Sequence, residues 1–133
     1  AVQHHFGTRE ALLMALYDEL ELHFVAQVQT AGVGLSAAGA YVAATVKAQT
    51  DDELARRWRA LLVACVIDRA LATRWNRWVQ ADRKNDGAGV NGKLVARLAA
   101  DGLWLSDMLG TYQLSEAERE ALGAELLQLT EGN

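Results

Sequence analysis

The chain has 133 residues, a formal net charge of −4, and apolar residues at 51% of its positions. This length and balance are typical of one soluble globular domain, and they exclude disordered and collagen-like chains. The single cysteine, Cys65, excludes an intramolecular disulfide framework. The absence of proline and the abundance of alanine and leucine favour an all-α fold.

The start of the chain and its apolar runs bear on localisation. Charges and histidines appear at once, so no signal peptide is predicted. The longest strictly apolar run, Ala60–Ile67, is far shorter than the roughly 20 residues that a membrane-spanning helix needs. These observations predict a cytoplasmic protein that does not associate with a membrane.

The first helix is predicted to begin at Thr8, directly after Gly7, because a threonine side chain caps the free N–H groups of a helix start. Apolar residues then recur at helical spacing as far as Val28. Gly32 and Gly34 are predicted to end this helix, since glycine is the usual residue just past a helix C-terminus.

The next three helices are marked by caps and breaks. A second helix is predicted over about Ser36–Gln49, and the segment Thr50–Glu53 reads as a capping box that opens a third. A bend or restart is predicted near Asp68–Thr73. The third helix is expected to turn one set of residues inward: Leu54, Trp58, Leu61, Leu62, Cys65 and Val66.

The last two helices follow the glycine-rich loop Gly87–Gly92. The first of them is predicted over about Lys93–Leu109 and is closed by Gly110. A second capping box, Ser115–Glu118, opens the terminal helix, which is predicted to run to about Thr130. No segment alternates with the period of two that indicates a strand.

Catalytic and metal-binding patterns are weak. Cys65 lies within an apolar run, which is typical of an inert buried thiol, and the loop Gly87–Gly92 lacks the Lys-Ser/Thr ending of a phosphate-binding loop. His23 follows Glu19 by four residues, which favours a surface ion pair and leaves a metal site as the alternative. The sequence therefore predicts neither an enzyme nor a cofactor.

Basic and acidic residues are unevenly distributed along the chain. Eight basic residues and two acidic ones lie between Arg56 and Lys84, whereas seven acidic residues and only Arg119 follow from Asp101 onward. A solvated helix face is the preferred interpretation of the basic stretch.

The N-terminal thirteen residues carry the strongest functional signal. They include an apolar residue, a His-Phe pair, a short turn, a Thr-Arg-Glu run and a leucine pair, at Val2, His5, Phe6, Thr8, Arg9, Glu10, Leu12 and Leu13. This segment resembles the end of the DNA-binding domain in TetR/AcrR-type transcriptional regulators. The later run Asp101–Leu105, followed by a capped helix, looks like the last two helices of one TetR C-terminal subfamily.

The resemblance implies an architecture and a mechanism. Residues 1–7 would be the remnant of a helix-turn-helix domain, and residues 8–133 a helical ligand-binding and dimerisation domain. Such a protein is expected to bind operator DNA as a homodimer, and a small effector is expected to release it. The family places DNA contacts at the positions of Gln3, His4, His5, Thr8 and Arg9, with most of the DNA-binding domain expected upstream.

Four tryptophans in 133 residues suggest a lined cavity, although core packing is the alternative. In TetR-like proteins the cavity lies among the helices between the linker helix and the penultimate helix. Carried over, this implies an apolar or aromatic effector and a set of lining residues: Tyr41, Thr45, Leu62, Val66, Trp75, Trp78, Trp104 and Met108.

Two leucine stripes in the last helices predict a homodimer. Helical spacing of four, three and four residues relates the first stripe, and Gly102 within it is unfavourable unless a second backbone approaches there. The predicted interface consists of Leu98, Gly102, Leu105, Leu109, Leu122, Leu126 and Leu129. The alternative function is a stand-alone helical dimer that binds a small apolar ligand or a protein partner without binding DNA.

Overall fold

The computed structural model describes residues 2–132, with side chains described from Thr8 onward. Within that range every regular element is a helix, which confirms the predicted all-α class. The elements are α1 (Val2–Ala31), α2 (Ala37–Val46), α3 (Asp52–Ile67), α4 (Arg69–Arg83), a 3₁₀ turn (Lys84–Asp86), α5 (Gly92–Leu109) and α6 (Glu116–Glu131). None of the described helices combines the length and the apolar character needed to cross a bilayer.

The chain divides into two compact units, which are described separately. The first unit comprises the residues up to Val25 together with Gln49–Trp78. The second comprises Ala26–Ala48 together with the chain from Val79 onward.

The first helix starts earlier than predicted. Helix α1 passes through Gly7 and Thr8 without a break, so the expected helix start at Thr8 is wrong. One glycine inside a helix costs only about 1 kcal/mol relative to alanine, and the residues that follow favour a helix. The predicted end is confirmed: α1 stops at Ala31, and Gly34 takes a positive φ of 80°. A Cβ on Gly32 would lie 2.2 Å from that of Ala40, so this glycine allows α1 and α2 to approach closely.

The caps set the remaining helix starts. Ser115 and Glu118 form the predicted capping box at the start of α6. At the start of α3 the predicted position is wrong by one residue, because Asp51 and not Thr50 is the N-cap. The Asp51 carboxylate accepts the N–H groups of Glu53 and Leu54 at 3.0 and 3.1 Å, and its charge suits the positive end of the helix.

The core of the first unit joins three helices. Tyr17 and Leu20 of α1 pack with Leu61 of α3 and Leu71 of α4, all four of them buried. The predicted restart between α3 and α4 is confirmed, because α3 ends at Ile67 and α4 begins at Arg69. One inward residue was predicted wrongly: Val66 is 79% exposed, since five residues of helix place it about 140° around α3 from Leu61.

The core of the second unit lies where α2 packs against α5 and α6. Val42, Ala96, Ala100 and Leu126 are buried there. The two alanines of this set, both on α5, let the helix backbones pack closely. Consequently α5 and α6 each have an inner face fixed against α2 and an outer face toward solvent.

Candidate functional site

An aromatic cluster, defined as Phe24, Trp58, Trp75 and Trp78, occupies the first unit. The Phe24 ring lies edge-on to the three indoles, with centroid distances of 6.4, 5.4 and 5.6 Å respectively. Trp75 and Trp78 stack at 5.3 Å with an interplanar angle of 15°, so they share one face of α4. The three indoles are only half-buried, whereas Phe24 is buried. The cluster is a preformed aromatic surface in which Phe24 fixes the orientation of the indoles.

Polar groups border this part of the first unit. The Tyr17 hydroxyl donates to Glu21 at 2.8 Å, and the Arg74 guanidinium lies 4.5 Å above the Tyr17 ring while pairing with Asp18. Burial, followed by the bond to Glu21, raises the pKa of Tyr17. Burial likewise raises the pKa of the Cys65 thiol, so it stays protonated and unreactive at neutral pH.

The predicted ligand residues are divided between the units. Leu62, Trp75 and Trp78 are half-buried in the first unit. Val66 belongs to the same unit but lies on the outer face of α3, so nothing in that unit encloses it. The other four belong to the second unit. Tyr41 and Thr45 are buried there, and Trp104 and Met108 are half-buried.

An ionic network that the sequence interpretation missed centres on Arg97, which is 3% exposed in the second unit. Its Nε and Nη2 atoms donate to Asp86 at 2.6 and 2.9 Å, and its Nη1 atom donates to Asp82 at 2.9 Å. The guanidinium also lies 5.1 Å from the Tyr41 ring centroid. The sequence offered one indication that Arg97 is buried, namely that it directly follows Ala96 on the inward face of α5. The network fixes the 3₁₀ turn and the end of α4 to α5.

Tyr41 joins this network to the outer side of α5. Its hydroxyl donates to the Asp101 carboxylate, although the Tyr41 side chain is otherwise buried. Burial, the charge of Asp101 and the hydrogen bond to it all raise the pKa of Tyr41, so the phenol remains a donor. The Thr45 hydroxyl instead donates to the Tyr41 carbonyl at 2.7 Å, an internal helix contact.

The outer face of α5 carries an exposed apolar stripe, here called the α5 stripe: Val95, Leu98, Gly102, Leu105 and Leu109. Leu98 and Leu109 are 62% and 68% exposed. A Cβ built on Gly102 would meet no atom within 4 Å, so the space outside this glycine is open. Four predicted interface residues therefore lie together on one uncovered helix face, and Val95 extends it.

The predicted stripe on α6 is wrong in one member and weak in another. Leu126 is 4% exposed, because it fills the core of the second unit. Leu122 is half-buried against the same core, and Leu129 is 43% exposed. The repeat of leucines marks the face that α6 turns toward α2 and α5. Its outer face instead carries small residues at helical spacing, Ala117, Ala121 and Ala124.

The predicted DNA-contacting residues are only partly described. Gln3, His4 and His5 lie outside the residues whose side chains the structure describes. Thr8 and Arg9 are exposed on α1. The predicted ion pair between His23 and Glu19 is wrong, because Glu19 pairs with Arg57 of α3.

A cleft of about 450 Å³ in the second unit includes none of the predicted ligand residues. Its charged side chains, Asp86, Lys93 and Glu131, stand near the start of α5 and the end of α6. Arg97 holds Asp86, and Ser36 donates to Glu131 from its backbone N–H and its hydroxyl, so both carboxylates already have internal partners.

Comparison with known proteins identifies the family. A family model described as "Tetracyclin repressor-like, C-terminal domain" matches residues 36–131. No curated protein and no solved structure matches the chain. The match covers well over half of the chain and takes in α2 through α6. The chain therefore belongs to the TetR family of regulators, and residues 36–131 form its tetracycline-repressor-like C-terminal domain.

Proposed function

We propose that this chain is the effector-binding and dimerisation part of a cytoplasmic transcriptional regulator, and that it acts as a repressor, as the family resemblance implies. It binds operator DNA as a homodimer, and a small apolar or aromatic effector releases it. The observation that carries the proposal is the α5 stripe: a TetR-family domain with an uncovered apolar helix face requires a partner surface. Exposed apolar surface of this kind, rimmed by polar residues, marks interaction sites in soluble proteins.

A two-fold axis at the α5 stripe would pair each apolar side chain with the same face of a second copy. Gly102 supports this arrangement, since the open space beside it leaves room for a second helix backbone. The revised interface omits Leu126 and Leu122 and adds Val95 and the outer alanines of α6. Interfaces of obligate homodimers are apolar and bury about 2,000 Å² or more in total.

Effector release is a shift in population between two states of the dimer. Two DNA-reading heads must lie about 34–36 Å apart to enter successive major grooves. A change of a few ångströms in that separation therefore discriminates between bound and free forms. An effector needs a difference in affinity of about 1–3 kcal/mol between the two states to act as a switch.

We expect an aromatic effector to contact the indoles of the aromatic cluster. Titration with 2-naphthol should quench tryptophan fluorescence, and Trp75→Ala should weaken binding about 2- to 10-fold, because a lost aromatic contact is worth about 0.5–1.5 kcal/mol. Tyr112→Ala is the matched control, since Tyr112 is 86% exposed on a loop. Equal binding by the Trp75 variant and the wild type would place the effector elsewhere.

Arg9 is proposed to contact a DNA phosphate. The test uses palindromic duplexes that the protein selects from a random library. Arg9→Ala should weaken binding to selected and random duplexes alike and reduce the salt slope by about 1, because a phosphate contact carries no sequence information. A changed sequence preference with an intact salt slope would contradict the assignment, and Arg56→Ala on α3 serves as a control.

A further inference from the structure

Asp101 lies at the edge of the α5 stripe. It precedes Gly102, and it follows Leu98 by three residues and precedes Leu105 by four, the spacings at which helix side chains are neighbours. The bond from the buried Tyr41 hydroxyl fixes the carboxylate in that place. A carboxylate on a free side chain can turn toward solvent when a neighbouring surface is covered, whereas one held by α2 stays beside the stripe.

Among the residues whose side chains the structure describes, no basic group is spare to pair with Asp101. The titratable or charged groups that face it are Tyr41 on α2 and Arg97 on α5. The Nε, Nη1 and Nη2 atoms of Arg97 already donate to Asp86 or Asp82. Arg97 attracts the Asp101 carboxylate at a distance but is not free to pair with it.

The described helices α5 and α6 of a second copy would bring no free cation to this surface either. Lys93, the other basic residue of α5, lies two turns before Asp101, and the single basic residue of α6, Arg119, is bound to Asp107. The outer alanines of α6 are flanked by Glu120 and Glu125, which are both exposed. By two-fold symmetry each copy therefore presents an acidic surface to the other.

We propose, on the basis of the homodimer proposed above, that association through the α5 stripe is coupled to proton uptake by Asp101, so that the dimer tightens as the pH falls. Covering the stripe removes water from a carboxylate that forms no ion pair with the described residues, and such desolvation disfavours the charged form. Burial already raises the pKa of Asp101 in the protomer, more than Tyr41 and Arg97 lower it.

The sign of the pH effect follows from proton linkage. A pKa that is higher in the dimer than in the protomer means that the dimer binds more protons over the interval between the two values. The dissociation constant then falls as the pH drops through that interval. Each unit of pKa difference is worth about a tenfold change per site, and a symmetric dimer has two such sites.

The test measures the dissociation constant by sedimentation equilibrium of the full chain at pH 7.5, 6.0 and 5.0. We expect the wild-type constant to fall at least about tenfold over this range, as one pKa unit at one site would give. Asp101→Asn should associate tightly at pH 7.5 and lose most of the pH dependence, since the amide is neutral and still accepts the Tyr41 hydrogen bond.

Glu116→Gln is the matched control, because it removes one exposed carboxylate from α6 and frees no basic side chain. It should keep the wild-type pH dependence. Tyr41→Phe removes the bond that holds the carboxylate at the stripe and should reduce the pH dependence. A wild-type dimer whose affinity does not change with pH would overturn the coupling while leaving the homodimer intact.

Two other outcomes also decide the question. If Asp101→Asn kept the full pH dependence, general surface charge, such as that of Glu120 and Glu125, would be its source, and the assignment to Asp101 would be overturned. A monomer at every pH would overturn both the coupling and the homodimer on which it rests.

Discussion

Replacement of Arg97 by alanine should lower the free energy of unfolding by about 3–5 kcal/mol, because removing one partner of a buried ion pair leaves an uncompensated charge. Asp86 is itself 7% exposed, so its carboxylate would be left buried without a cation. The loss should appear in urea denaturation as a lower midpoint with little change in slope. Because domains are stable by only about 5–15 kcal/mol, a loss of this magnitude is a large fraction of the total free energy of unfolding.

Arg57→Ala provides the matched control. Arg57 also contacts two carboxylates, those of Glu19 and Glu53, but its side chain is 41% exposed. Exposed ion pairs contribute about 0–1 kcal/mol, so this variant should unfold close to the wild type. Equal effects of the two substitutions would mean that the Arg97 network is no more important to the fold than a surface pair.

A second comparison separates the cost of an orphaned charge from the value of the network. In a variant with Arg97→Met, Asp82→Leu and Asp86→Leu, no buried charge is left without a partner. Buried ion networks replaced by apolar groups of similar volume are often as stable as the original or more so. The triple variant should therefore recover much of the stability lost by Arg97→Ala. Failure to recover it would assign the loss to packing around Tyr41.

The helix boundaries that were predictable from sequence are those with strong local signals. Gly34 follows α1 with a positive φ that glycine adopts readily, and the side chains of Ser115 and Glu118 satisfy free N–H groups at the start of α6. The start of α1 was harder to place, since Gly7 is a weak break that a long helix absorbs. At the start of α3 two adjacent capping residues competed, and the charged one, Asp51, is the cap.

The assignment of faces was less predictable, because it depends on which helices meet. Leu98 and Leu126 belong to equally regular leucine stripes, but α2 packs over Leu126 and leaves Leu98 uncovered. Nothing local to either helix distinguishes the two. The partners of Arg97 were hard to predict for the same reason, since Asp82 and Asp86 lie 15 and 11 residues away in a neighbouring segment. Its position beside Ala96 indicates burial but does not identify its partners.

Gly102→Leu should weaken the homodimer at least about 30-fold while leaving the protomer folded. A leucine side chain forced into a close helix contact costs about 1–3 kcal/mol, and a two-fold interface incurs that cost at both copies. Within one protomer the same side chain enters open space, since nothing lies within 4 Å of the added Cβ. It also replaces glycine by a better helix former, which should stabilise the protomer by up to about 1 kcal/mol.

These opposite signs make the experiment decisive. Sedimentation at micromolar concentration should give a dimer for the wild type and a monomer for Gly102→Leu. The midpoint temperature of thermal unfolding, extrapolated to low protein concentration, should be no lower for the variant than for the wild type. Asn76→Leu adds the same side chain at an exposed position of α4 and should leave the dimer unchanged. If Gly102→Leu instead strengthened self-association, the added leucine would be enlarging an apolar contact, and the two helix backbones would not approach closely at Gly102.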